Sequence, residues 1–230
     1  MRVRVVITCW PDFVHCATRS MRDSLAHFGG AELLDELDKS KNQEYRGKSF
    51  IRNGVEYIVY PSSHCYISTS RNCGANCWNN DQKKRQVIDD CDGILFMDSD
   101  HTFTIENIEK LIADNVPIVG AAYPYRSEIP PYSNCYVAGD LDPKLDGNFS
   151  NRIHRTEIGL QKCGWLGGGF LYVKSSTFTL LEYPWFRRGV IDNGDTAEEL
   201  GEDVGFCLQA AKANIPVYCD CDCIVAHGKD

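Results

Sequence analysis

The stretch Ile94-Leu95-Phe96-Met97-Asp98-Ser99-Asp100 decides the fold of this chain. Its first four residues form a short, continuous apolar run, which is typical of a central strand buried on both faces. Two carboxylates follow directly, so they come just past the carboxyl end of that strand. In open α/β sheets this edge is where ligands bind. The stretch therefore predicts a central strand that delivers Asp98 and Asp100 to a binding site.

The segments on either side of this strand alternate between strand and helix patterns. Predicted strands cover residues 3–8, 55–60, 94–97, 156–160 and 170–173 and begin again at Pro117 and Pro216; predicted helices begin near Asp12, Thr104 and Asp203. This alternation predicts an α/β fold with a mostly parallel central sheet flanked by helices. Residues 31–54 are expected to form a short helix followed by an irregular segment. Residues 126–153 are expected to form a loop, and residues 183–201 are expected to form a long mobile loop.

Length and composition narrow the class of protein. The chain has 230 residues, 43% of them hydrophobic, which suits a single domain spanning residues 1–230. Its net charge of -8 and pI near 5.3 leave no basic field to replace the counterions of a nucleic acid, so we expect no nucleic-acid partner. No stretch approaches the roughly 20 apolar residues of a membrane span, and we expect none.

Twelve cysteines raise the question of disulfides or bound zinc. No Cys-x-x-Cys pair occurs, so the usual zinc-ribbon pairing is missing. Cys219, Cys221 and Cys223 alternate with Asp220 and Asp222, which on a strand sends all three sulfurs to one buried face. The first residues look like a strand and not like a secretion signal. We therefore expect reduced thiols and a cytoplasmic location.

The Asp-x-Asp spacing is common in this chain, with pairs at 90/92, 98/100, 140/142 and 220/222. Context distinguishes the pair at 98/100, because it alone follows the apolar strand. Two carboxylates there can hold a hard divalent cation, which in turn neutralises a diphosphate. A plain surface turn remains the alternative for this pair.

Three further features have both a structural and a functional interpretation. Glu202-Asp203 is either the acidic cap of a helix or the source of a general base. His227 is either a structural histidine or an extra ligand for an Mn²⁺-type ion. Gly167-Gly168-Gly169 is either a bulge in a strand or a backbone that approaches a ligand closely.

Taken in order, several segments together resemble the GT-A glycosyltransferases. They are Ser70-Arg71-Asn72, Ile94 to Asp100, Pro117 to Tyr123, Gly164-Trp165 to Phe170, and Gly201 to Leu208 with His227 behind it. The resemblance spans nearly the whole chain. It implies transfer of a sugar from a nucleotide-sugar donor to an acceptor hydroxyl on a glycan or glycoprotein. A single base on the face opposite the leaving group would give inversion; retention remains the alternative, because retaining relatives also carry Asp-x-Asp. A UDP-sugar is the first choice of donor and a GDP-sugar the second.

The resemblance also implies roles for individual residues. An Mn²⁺ or Mg²⁺ ion would be held by Asp98, Asp100 and His227, with Asp98 facing the donor. Asp203 would be the catalytic base, and Glu202 would orient the acceptor. The remaining donor contacts would be Thr8, Cys9, Trp10 and Pro11 around the nucleotide base, with Arg71, Asn72, Ser99, Trp165, Gly168 and Gly169. Residues 1–125 would then form the donor and metal half, and residues 126–230 the acceptor half.

Other functions share some of these features. Phe96 to Thr102 fits the Asp-x-Asp-x-Thr pattern of haloacid-dehalogenase-type phosphatases, with Asp98 as nucleophile. That motif usually lies on the first strand, and the later Gly-Asp-x-x-x-Asp element is missing here. A nucleotidyltransferase would need a glycine-rich basic loop after the first strand, where this chain has Cys9-Trp10-Pro11. A non-catalytic carbohydrate-binding domain is a further alternative.

Overall fold

The computed structural model describes residues 1–9, 12–39, 48–63, 66–76, 91–125, 135–140, 152–192 and 197–228. The strands in these ranges are β1 (Arg2–Cys9), β2 (Lys48–Arg52), β3 (Val55–Ser63), β4 (Gly93–Asp98), β5 (His101–Thr102), β6 (Ile118–Ala122), β7 (Cys135–Gly139), β8 (Arg152–His154), β9 (Leu160–Cys163), β10 (Trp165–Leu166), β11 (Phe170–Lys174), β12 (Gly189–Asp192), β13 (Ala197–Leu200), β14 (Val217–Ile224) and β15 (Ala226–His227). The helices are α1 (Phe13–Cys16), α2 (Arg19–Gly29), α3 (Ala31–Lys39), α4 (Ile67–Asn76), α5 (Ile105–Ala113), α6 (Ser175–Phe178) and α7 (Glu202–Lys212).

Eight strands form the central sheet in the order β2-β3-β1-β4-β11-β6-β14-β9. Strands β3, β1 and β4 are parallel, and β6 and β14 run in the same direction as these three. Strands β2, β11 and β9 run the opposite way, so the sheet is mixed. Three smaller sheets lie beside it: β10-β7-β8, β12-β13 and β15-β5. The predicted α/β fold with a central sheet between helices is confirmed.

The apolar run of β4 is buried on both faces, as predicted. Ile94 and Phe96 belong to one core cluster, which also holds apolar residues of α4, α6 and α7. Leu95 and Met97 belong to a second cluster, which holds residues of α1, α2, α3 and α5. All four side chains have 0% exposed surface. Alternation along the strand therefore divides the helices into two layers, one on each face of the sheet.

Several predicted boundaries were wrong by a few residues. The helix expected from Asp12 onward is two helices, because Thr18 caps a second one by accepting a hydrogen bond from Met21 N at 3.2 Å. The strand expected at residues 156–160 lies at Leu160–Cys163, after a turn. β7 falls inside the expected loop of residues 126–153, most of which lies outside the described residues.

The prediction of a long mobile loop at residues 183–201 was also wrong for the described part of that segment. Trp185 and Phe186 are only 3% and 1% exposed, and a hairpin of β12 and β13 follows them. The ring of Phe186 stacks on Phe206 with centroids 4.6 Å apart. Asn72 accepts a hydrogen bond from Phe186 N at 3.0 Å and donates one to Phe186 O at 2.6 Å. Burial of two large aromatic side chains therefore holds the start of this segment against the core.

The three cysteines of β14 were expected to lie on one face of the strand, and this prediction was wrong. Cys219 and Cys221 lie in the cluster with α7, whereas Cys223 lies in the opposite cluster, where its Sγ contacts Asn107 O at 3.3 Å. The register of β14 against β6 shifts between Asp220 and Ile224. Such an irregularity breaks strict alternation and sends the following side chains to the other face. The ten cysteines in the described ranges all carry free thiols, and no described helix is long and apolar enough to cross a membrane.

Candidate functional site

The candidate site begins where β1 and β4 end. The two strands are parallel, and their register sets Thr8 opposite Asp98. Thr8 Oγ1 donates a hydrogen bond to Asp98 Oδ1, and Asp98 N donates one to Gly169 O at 2.8 Å. The backbone and the side chain of Asp98 are therefore both fixed at the carboxyl edge of the sheet, where ligands bind in open α/β folds.

Arg71 of α4 joins Asp98 to Glu202 of α7. Its Nη2 donates to both carboxylate oxygens of Asp98, at 3.0 and 3.2 Å, and its Nη1 donates to Glu202 Oε1. The guanidinium is only 2% exposed, so this is a buried cation between two carboxylates. Burial, the largest single effect, would raise the pKa of Asp98. The charges of Arg71 and His101, together with the hydrogen bonds from Thr8 and Arg71, outweigh burial and lower that pKa below its ordinary value. Burial does raise the pKa of Glu202, against the opposing charge of Arg71.

The glycine run lies against this pair and against a histidine. A methyl group on Gly168 would lie 2.6 Å from Arg71 Cζ, and one on Gly169 would lie 2.5 Å from His101 Cε1. Both contacts are too short for any larger residue. The glycines therefore allow the backbone to approach protein side chains, which accounts for the run without a ligand.

Glu202 and Asp203 lie in the first turn of α7, but neither is its N-cap. That position belongs to Gly201, which offers no side chain to the helix. The carboxylate of Asp203 accepts hydrogen bonds from Val204 N at 2.8 Å and from Gly168 N at 3.3 Å. The helix N-terminus further favours its negative charge. Asp203 therefore lies half-buried beside the glycine run, close to Asp98 and Arg71.

A second group of ligand-type side chains forms next to the first. Strand β5 pairs with β15 so that His101 stands directly opposite His227, and the two rings stack with centroids 4.6 Å apart and planes 17° apart. Asp100 Oδ1 lies 3.2 Å from His101 Nδ1, and its Oδ2 lies 3.7 Å from His227 Nε2. One ligand atom from each of the three residues lies within 4.8 Å of the others. These residues form a possible metal site, which we call the Asp-His-His group.

His101 was missed by the sequence analysis. It has 0% exposed surface, and among the described residues neither of its ring nitrogens has a hydrogen-bond partner. Burial lowers its pKa to about 4, and the nearby charge of Asp98 only partly offsets this, so the imidazole is neutral at pH 7. Its position directly after Asp100 was a signal, but the sequence did not reveal that a strand would pair it with His227.

The other predicted donor contacts lie in different places. Cys9 is buried, with its Sγ 3.8 Å from Ser62 O, and Ser99 O accepts a hydrogen bond from Thr18 N at 3.0 Å. The Asn72 side chain is bound to the backbone of Phe186. Trp165 is 4% exposed and packs inside the cluster with α7. Trp10 and Pro11 lie outside the described residues.

Comparison with known proteins identifies the fold but no family. The sequence matches no known protein family and no curated protein. The crystal structure of A197 from STIV is similar to this chain. The match covers 95% of this chain and 81% of A197, with 15% sequence identity and a TM-score of 0.50. The catalytic domain of Drosophila beta1,4galactosyltransferase 7, solved with xylobiose, covers 100% of this chain and 71% of its own, with 12% identity and a TM-score of 0.49. At such identities a structural likeness establishes the fold alone.

Proposed function

We propose that the protein is a metal-dependent glycosyltransferase that moves a sugar from a nucleotide-diphosphate sugar to an acceptor hydroxyl. The observation that carries this proposal is the meeting, at one edge of the sheet, of the Arg71-linked carboxylates, Asp203 and the Asp-His-His group. Apart from His101, these residues lie in the segments that together resemble the GT-A glycosyltransferases. The donor would be a UDP-sugar or, as second choice, a GDP-sugar, the acceptor a glycan or glycoprotein, and the location cytoplasmic.

The residues at the edge of the sheet fit a divalent cation. Asp100 and His227 supply oxygen and nitrogen donors, which suit Mn²⁺, and both side chains are partly exposed, at 24% and 17%. The buried ring nitrogens of His101 beside them support the same interpretation. When bound, such an ion would neutralise charge on the leaving diphosphate.

Asp203 is the better of the two candidates for the base. Glu202 is tied to Arg71 by a buried ion pair, so its carboxylate is committed to positioning. Asp203 accepts hydrogen bonds from two backbone N–H groups, which fix the orientation of its carboxylate. We infer that it takes the acceptor proton while the hydroxyl attacks the anomeric carbon. One base on the face opposite the leaving group would give inversion.

The phosphatase alternative is less compatible with the geometry. Asp98 would have to attack a phosphorus atom, yet both of its oxygens accept hydrogen bonds from Arg71. A non-catalytic carbohydrate-binding domain would not need Asp203 as a base, and this difference can be tested.

The variant Asp203→Asn tests the proposal. Asparagine fills the same space and retains one acceptor oxygen, so we expect the variant to fold and to bind nucleotide sugar and Mn²⁺ like the parent by calorimetry. Sugar transfer should fall roughly 10²- to 10⁴-fold, the usual contribution of a positioned general base. The matched control is Glu199→Gln, which removes an exposed carboxylate paired with Arg188 and should leave the rate unchanged. If Asp203→Asn retains most of the parent rate, Asp203 is not the base.

A further inference from the structure

We propose that His101 is a third protein ligand of the metal, so that the Asp-His-His group is a two-imidazole, one-carboxylate site that selects first-row transition ions over Mg²⁺. This inference deepens the metal role in the proposed function. It concerns binding of the ion itself, so it can be tested without any sugar transfer.

The pairing of β5 with β15 is the first support. Residues directly opposite each other in an antiparallel pair place their side chains on the same face, about 5 Å apart. His101 and His227 are such a pair, and Gly228 N donates to Asp100 O at 2.7 Å to close the ribbon. The backbone therefore brings the two imidazoles and the Asp100 carboxylate to one point, although the histidines are 126 positions apart in the sequence.

The environment of His101 is the second support. Buried polar groups are nearly always hydrogen-bonded, because an unpartnered one costs free energy. His101 is fully buried, yet neither ring nitrogen has a hydrogen-bond partner among the described residues. The Oδ1 atom of Asp100 lies 3.2 Å from its Nδ1. A metal ion between them would satisfy a ring nitrogen that the protein leaves unsatisfied.

The spacing of the group suits a small ion. The three ligand atoms lie within 4.8 Å of one another. An ion with bonds of about 2.0–2.1 Å in a tetrahedral arrangement holds its ligand atoms about 3.4 Å apart, so small side-chain rotations complete the site. Asp100 and His227 are partly exposed, which leaves a path for the ion and room for further ligands.

The chemistry of the donors predicts the selectivity. Mg²⁺ prefers oxygen ligands and retains water, whereas imidazole nitrogens suit Zn²⁺, and the affinity of such sites rises from Mn²⁺ to Co²⁺ along the first transition row. A site with one carboxylate and one imidazole discriminates less between Mg²⁺ and the transition ions than a site with one carboxylate and two imidazoles. The added nitrogen of His101 should therefore raise the affinity of the site for the transition ions, whereas Mg²⁺ should still bind weakly.

Calorimetric titration of the metal-free protein with each ion tests this directly. We expect Co²⁺ and Zn²⁺ to bind at least about tenfold more tightly than Mg²⁺, with Mn²⁺ between them. His101→Gln should weaken Zn²⁺ binding by at least about tenfold, since even outer partners of metal ligands contribute 10- to 100-fold. The control His154→Gln removes an exposed histidine and should leave binding unchanged. Equal affinities for Mg²⁺ and Zn²⁺, or unchanged Zn²⁺ binding by folded His101→Gln, would overturn the inference.

Because His101 is buried, a measurement on the parent protein provides a second test that does not depend on how the variant folds. Imidazole nitrogen resonances of the ¹⁵N-labelled chain are followed during Zn²⁺ addition, and His227→Gln assigns one of them. Two imidazoles should shift in step with one equivalent of Zn²⁺, and a shift of His227 alone would overturn the inference. If two imidazoles bind the ion but no nucleotide sugar is used, the metal site stands and the proposed function fails.

Discussion

Arg71 is a single residue on which two carboxylates from distant parts of the chain depend. Removing one partner of a buried ion pair leaves uncompensated charge, which typically costs about 3–5 kcal/mol. Arg71→Met keeps most of the side-chain volume and removes the charge. We therefore expect its free energy of unfolding in urea at pH 7 to fall by about that amount. Arg188→Met is the control, because its partner Glu199 is exposed and such pairs contribute about 0–1 kcal/mol.

The pH dependence of this variant follows from the same charges. Without Arg71, the largest charge that opposes burial is gone, so the folded-state pKa values of Asp98 and Glu202 rise relative to those of the parent protein. Folded-state pKa values above the unfolded values favour the folded variant at low pH and disfavour it as the pH rises. The stability gap between parent and variant should therefore narrow as the pH falls from 7 to 4. A gap that is small at pH 7, or constant with pH, would show that the ion pairs contribute little.

At the scale of elements, helix α7 is fixed in place by a close crossing at Gly205. A methyl group there would lie 1.9 Å from Arg187 O, in the segment that leads to the β12–β13 hairpin. Helix propensity alone predicts that alanine stabilises the helix by about 1 kcal/mol. We expect the clash to dominate, so that Gly205→Ala loses about 1–3 kcal/mol in thermal or urea unfolding. Ala211→Gly, at an exposed position of the same helix, should lose only the propensity value of about 1 kcal/mol. A gain in stability for Gly205→Ala would contradict this packing.

The elements also show what can be predicted from a sequence and what cannot. The apolar run of β4 and the helix after Thr104 carry strong local signals, and both form where expected. The segment around Trp185 lacks periodicity, so its burial depends on contacts with α7 and α4 that no local pattern reveals. The face of Cys223 was predicted wrongly because a register shift has no distinct signature in alternating residues.

In the candidate site, too, local sequence patterns predict some residues, whereas the roles of others depend on contacts between distant parts of the chain. Asp98 and Asp100 were predictable because the edge of the sheet follows directly from the strand before them. The roles of Arg71 and His101 depend on long-range pairing, with Glu202 and His227 respectively. Predicting the role of His101 would have required the register of β5 against β15, which short strands encode weakly.

At the scale of the whole molecule, the central sheet joins the two proposed halves of the chain. Strand β11, from residues 126–230, lies between β4 and β6, which both belong to residues 1–125. Strand β14 then extends the sheet beyond β6. The donor half therefore has no continuous sheet without the acceptor half, and Arg71 adds an ion pair across the same division.

This topology predicts that the two halves unfold together. During urea unfolding, far-UV circular dichroism reports the whole chain, whereas tryptophan fluorescence includes the buried Trp165 and Trp185 of the second half. We expect the two signals to share one midpoint, as in a two-state transition. A fragment of residues 1–125 should show no cooperative transition, because the loss of β11 leaves β4 and β6 with unpaired edges, and the loss of α6 and α7 uncovers one apolar face of the sheet. Two separate midpoints, or a fragment that unfolds cooperatively, would show that the donor half is a domain in its own right.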